Sequence, residues 1–123
     1  MSTCLIILFL SGLDPQNEDQ WTEYIRKHHM KSYSTQARLW DKTRPDMLGE
    51  YAIEVDWAKS KWKEGIGQAL YYSAITDRDP ALILLIKNYD TDMKDCYKAI
   101  IACNKAKIKL FLFDCNKKQF IKK

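Results

Sequence analysis

Residues 81–86, Ala-Leu-Ile-Leu-Leu-Ile, are apolar without interruption and partly β-branched. A strand that faced water on one side would alternate, so this run reads as a central strand covered on both faces, the habit of sheets flanked by helices. The chain before and after it supplies candidates for the cover. From Trp62 onward, Ile66, Ala69/Leu70 and Ser73/Ala74 recur at helical spacing, with Ser60 as the expected N-cap and Asp79-Pro80 as the stop. Beyond the run, Asp90 or Thr91 is placed to cap a second helix that buries Met93, Cys96, Tyr97, Ile100 and Cys103. Ile108 to Phe113 follows as another apolar strand, and the lysine-rich tail from Lys117 reads as a short edge strand or frayed end.

Upstream, Tyr51 to Trp57 alternates: Tyr51, Ile53, Val55 and Trp57 form an apolar face, while Glu54 and Asp56 share the other. Gly49 lies between two short extended runs, a hairpin signal. A three-residue loop at 48–50 would pair Met47 with Tyr51 and Asp46 with Ala52, which puts Asp46 on the face of Glu54 and Asp56. A two-residue loop would put it on the opposite face. Thr35 to Trp40 is expected as the first strand, turning at Asp41-Lys42 into the strand that carries Asp46. Asp14-Pro15 is expected to open a first helix, with Trp21, Tyr24, Ile25 and His28 on one face and an end near Met30. The resulting order, helix, three strands, helix, strand, helix, strand, predicts an α/β chain with a mixed sheet and helices on both of its faces.

On the helix from residue 61, Lys61, Gln68 and Tyr72 stand at i, i+7 and i+11, one polar stripe. Three acids followed by a lysine, a glutamine and a tyrosine suit metal-assisted hydrolysis of a phosphodiester. Mg²⁺ takes one or two carboxylates together with water and phosphate oxygens, and a lysine nearby can neutralise developing charge. Crowded carboxylates are expected to raise at least one of their own pKa values. The plainer reading is that such acids lie on the solvent side of an edge hairpin and that the stripe is a wet helix face.

These residues resemble the PD-(D/E)XK nuclease superfamily, with its restriction-endonuclease-like fold. Pro45-Asp46 is similar to the first motif, Glu54-Val55-Asp56 to the second, and Gln68 to Tyr72 to the QxxxY helix motif of RecB-type members. The likeness covers roughly residues 20 to 87 and is nearest to small bacterial members, many made with a signal peptide. It implies an αβββαβ core with an added αβ unit, Mg²⁺ (or Mn²⁺) as cofactor and nucleic acid, expected to be DNA, as partner. By that resemblance Asp46, Glu54, Lys61, Gln68 and Tyr72 are the catalytic set, and Asp46, Glu54 and Asp56 the metal ligands. One position departs: the superfamily lysine after the second acid is replaced by Asp56, so Lys61, with Lys59 in reserve, must supply the cation. A catalytically inactive domain on the same scaffold, acting as a nucleic-acid or protein interaction module, is the alternative.

The remaining features bound the reading. At 123 residues and 46% hydrophobic content, residues 14–123 are expected to form a single domain with a core of its own. The net charge of +4 permits nucleic-acid binding without requiring it. Cys4, Cys96, Cys103 and Cys115 show no zinc spacing and read as small buried thiols. Cys96 and Cys103, two helical turns or about 10 Å apart, are too distant for a disulfide. His28-His29 reads as a helix terminus before it reads as a metal or phosphate ligand. The apolar run at 4–10 is too short to span a bilayer, so no stable membrane insertion is expected. It is either the core of a signal peptide, making the protein secreted or periplasmic, or an initial buried segment of a cytoplasmic one.

Overall fold

The computed structural model describes residues 14–35 and 37–121. The question of a signal peptide over residues 1–13, and Cys4 with it, lies outside them. Three helices and five strands follow in the order α1 (Glu18–His29), β1 (Met47–Leu48), β2 (Tyr51–Trp57), α2 (Trp62–Thr76), β3 (Asp79–Ile86), α3 (Tyr89–Ala106), β4 (Lys109–Asp114) and β5 (Gln119–Phe120). They form one mixed sheet in the order β1-β2-β3-β4-β5. The strands β2, β3 and β4 are parallel, and the short edge strands β1 and β5 are antiparallel to their neighbours.

The apolar run explains the layers. All six residues of 81–86 are buried, and they divide by parity. Ala81, Ile83 and Leu85 join Ile53, Val55 and Phe113 beneath Trp21 and Ile25 of α1. Leu82, Leu84 and Ile86 join Cys96, Ala99 and Cys103 of α3 on the opposite face, with Trp62 of α2. Each fully buried Leu or Ile of this kind contributes about 1.5–3 kcal/mol relative to exposure. Both βαβ crossovers, through α2 and α3, advance the sheet in one direction and leave their helices together, while α1 covers the other side. Among the described residues no helix is long and apolar enough to cross a membrane.

Several local expectations shift. No strand forms among the described residues of 35–40; Ser34 makes one isolated bridge to Leu48 instead. The turn at Asp41-Lys42 does form, with Lys42 at φ 70° and Asp41 Oδ1 accepting from the Thr43 hydroxyl. The first helix starts at Glu18, capped by Asn17, because Asp14 is drawn to Lys118 in a 2.6 Å ion pair. Lys61, not Ser60, stands at the N-cap of α2, with no side-chain cap. Asn88 caps α3 by accepting from the Thr91 N–H, and Tyr97 points outward, 60% exposed. Cys96, Cys103 and Cys115 are free and buried, as read from spacing. His28 and His29 close the helix terminus by packing on Tyr24, Phe113 and Phe120.

Candidate functional site

The geometry starts with how β1 meets β2. The hairpin loop has three residues, but they are 49–51: Leu48 pairs with Ala52 and Met47 with Ile53. Tyr33 accounts for the position. Its ring lies against Gly49, where an added Cβ would meet Cδ2 at 2.7 Å, and its hydroxyl accepts from the Tyr51 N–H at 3.1 Å. Sliding the loop by one residue moves the register by two, so side-chain parity is kept. Asp46 therefore stands opposite Glu54 rather than Ala52, on the face intended for it.

Because β1 ends after two residues, the outer edge of β2 continues past it with N–H groups that find no strand. Side-chain carboxylates take them. Asp46 Oδ2 accepts from the Val55 N–H at 2.8 Å, and Glu18 Oε2, from the first turn of α1, accepts from the Trp57 N–H at 3.2 Å. Buried backbone donors need such partners. The consequence is that two carboxylates are pinned along an edge while Glu54 and Asp56 project from the adjoining face.

That face is not wet. Glu54 and Asp56 are 5% and 7% exposed beneath α2, so the solvent-side reading of these acids does not hold. Gly65 makes the burial possible: a Cβ there would collide with Asp56 Oδ2 and approach Leu82 Cδ1 to 2.8 Å. Asp56 Oδ2 is the one buried side-chain polar atom without a hydrogen-bond partner among the described residues. Burial, a hydrogen bond with Asp46 and the charges of Asp46 and Asp56 push Glu54 up to about 10. Burial, with the nearby charges of Glu18, Asp46 and Glu64, pushes Asp56 up to about 7, and Lys61 opposes that rise. Desolvation, more than crowding, is the leading cause for both.

Of the residues singled out by sequence, Asp46, Glu54 and Asp56 are thus brought together, with Lys61 near Asp56 at the head of α2. Tyr72 joins them: burial raises its phenol, a side-chain hydrogen bond with Thr43 opposes this, and the charges of Glu54 and Asp46 add to the rise. Gln68 is exposed on the same helix and makes no hydrogen bond to the acids. Glu18 and Gly65 were not legible as site residues. Glycine inside a helical pattern costs helix propensity, the one local hint that Gly65 serves packing; nothing local marked Glu18, whose partner is a backbone group 39 residues away.

Comparison with protein-family models, with curated proteins and with solved structures returns no match. Among the described residues no three His, Cys, Asp or Glu side chains are placed to hold a metal ion together. What the cluster offers is an acid pair, Asp46 and Glu54, beside a buried carboxylate oxygen without a partner.

Proposed function

We infer that the protein is a Mg²⁺- or Mn²⁺-dependent nuclease of the PD-(D/E)XK kind, hydrolysing phosphodiester bonds of nucleic acid at the Asp46–Glu54–Asp56 cluster. The observation that carries this reading is the partnerless Asp56 Oδ2, sealed under Gly65 beside two further carboxyls. Burying carboxyl groups together is costly unless they are protonated, paired or bound to a cation, and among the described residues no buried lysine or arginine offsets them. The donor set fits a hard divalent ion, which needs only one or two carboxylates and completes its shell with water and phosphate oxygens.

In this reading Asp46 and Glu54 would hold the ion, and Asp56 would stand beside it as an auxiliary acid whose negative charge favours a cation. When bound, Mg²⁺ supplies polarisation of the phosphoryl group and a hydroxide nucleophile. The chain's own part is positional and electrostatic. Val55 N–H fixes the Asp46 carboxylate, Lys61 balances negative charge at the rim, and Tyr72 and Gln68 orient water or phosphate. Because Glu54 and Asp56 must lose protons to bind a cation, metal affinity should rise with pH and binding should release protons.

A second reading, a catalytically silent interaction module on this scaffold, is favoured by one observation: no three ligating side chains are already assembled among the described residues. Calorimetry separates the two. The nuclease reading predicts Mn²⁺ binding at millimolar concentration or below that strengthens from pH 6 to pH 8 and is lost in Glu54→Ala. Absence of binding at either pH favours the silent module.

A further inference from the structure

The carboxyl ends of β2 and β3 carry a feature that the acid cluster does not use. A cleft of about 450 Å³ opens there, walled by Trp57, Lys59, Lys87, Asn88 and Asp92 among others. Its size is within the range of small-ligand sites, and it lies outside the carboxyl ends of two adjacent parallel strands. The chemistry of its walls is selective. Trp57 is half-buried, with the Lys87 ammonium 5.8 Å from its ring centroid, and Lys59 stands exposed beside it.

The acid in the cleft is already committed. Asp92 Oδ2 accepts from the backbone N–H groups of Lys87 and Asn88 at 2.9 and 3.0 Å, and its Oδ1 accepts from the Thr91 hydroxyl at 3.2 Å. Lys59 and Lys87 make no ion pair among the described residues. The cleft therefore presents two ammonium groups and a Trp57 ring that packs on the α1-side core and carries the Lys87 ammonium over it, so a base stacking there takes the place of that ammonium, which moves to the attached phosphate. A ligand that complements it needs a planar, polarisable ring and an anionic group attached at short range, which is the constitution of a nucleotide.

We propose that this cleft binds one nucleotide of a single-stranded nucleic acid, its base stacked on Trp57 and its phosphate held between Lys59 and Lys87. A duplex cannot satisfy it, because paired bases are already stacked on one another. Trp57 and Asp56 project from opposite faces of β2, and it is the segment from Ala58 to Lys61 that connects the two, running from the cleft to the head of α2, where Lys61 stands near Asp56. The proposal deepens the nuclease reading by naming a single strand as substrate and rests on it for that strand's fate. Occupation of the cleft itself requires no metal.

The test is fluorescence anisotropy of a short labelled oligothymidylate in EDTA, so that cleavage cannot contribute. Wild type should bind in a salt-dependent manner. Lys59→Ala and Lys87→Ala should each weaken binding and lower the slope of log affinity against log salt by roughly 0.7. Trp57→Leu should weaken it by roughly 5- to 150-fold, the range of one lost base stack. The same strand with abasic sites should bind wild type roughly 5- to 150-fold more weakly than the intact strand does, which preserves the test if Trp57→Leu fails to fold. No binding by wild type, lysine variants that bind like wild type, an abasic strand that binds as tightly as the intact one, or a duplex that competes equally would each overturn the proposal. Failure here with metal-dependent cleavage intact removes the cleft alone; metal-free binding without any cleavage removes the nuclease reading alone.

Discussion

Gly65→Ala should destabilise this protein although it replaces a glycine inside a helix. In an open helix position the exchange gains about 1 kcal/mol of helix propensity. Here the new methyl would enter the space of Asp56 Oδ2 and come within 2.8 Å of Leu82 Cδ1, and both side chains are fixed on buried strands. Overpacking of this kind costs about 1–3 kcal/mol, and the upper end applies because neither obstacle has room to retreat. The net expectation is a loss of about 1–2 kcal/mol. Gly67 is the internal control, since a Cβ there would meet nothing within 4 Å. Gly67→Ala should gain about 1 kcal/mol. For a chain of this length about 4 °C of Tm corresponds to 1 kcal/mol, so thermal unfolding should separate the two variants by about 8–12 °C. Adding Asp56→Ala to Gly65→Ala should recover about 1 kcal/mol or more, a coupling that a double-mutant cycle isolates. Equal melting temperatures for Gly65→Ala and Gly67→Ala would refute the packing of α2 on Asp56.

Stability should fall as pH rises from about 4 to about 8. The folded-state pKa values of Asp56 and Glu54 lie near 7 and 10, above their ordinary 3.8 and 4.5. The folded state therefore holds more protons than the unfolded one in this interval, and the stability present below pH 4 is lost as each carboxyl ionises, at up to about 1.4 kcal/mol per pH unit for each group. Urea denaturation across this range checks it; Asp56→Asn should reduce the slope between pH 4 and 7 to about half, Glu54 supplying the rest, and a stability that is level or rising in wild type would contradict the assignment. Lys61→Ala should lower kcat strongly with Tm almost unchanged, as expected of an exposed N-cap residue without a capping bond. Lys59→Ala should instead raise KM, and the reverse split in steady-state kinetics would show that the two lysines were assigned the wrong way round.

Parity was the most durable information in the sequence. The alternation at 51–57 and the unbroken run at 81–86 determine which residues face which layer, and both survived a hairpin register two residues from the expected one. What local pattern could not reveal was decided by partners distant in the chain. Tyr33 set the loop, Lys118 drew Asp14 away from the helix start, and the unpaired edge of β2 recruited Glu18. Among the described residues of 35–40 the expected strand is missing for a related reason: β1 pairs with β2 through only two residues, leaving little edge for another strand to extend. Burial of Glu54 and Asp56 was equally illegible, because alternation reports a polar face without reporting whether a helix with a glycine at the contact point will cover it.

On the proposed reading the buried acid cluster cleaves phosphodiesters with a divalent ion. Its most direct test is a cleavage assay on labelled single- and double-stranded DNA and RNA with Mg²⁺ or Mn²⁺, comparing wild type with Glu54→Gln, which keeps the shape of the buried side chain. Metal-dependent cleavage by wild type, abolished by EDTA and by Glu54→Gln at unchanged Tm, is the predicted result. Absence of cleavage on every substrate, or cleavage that Glu54→Gln leaves intact, would contradict it.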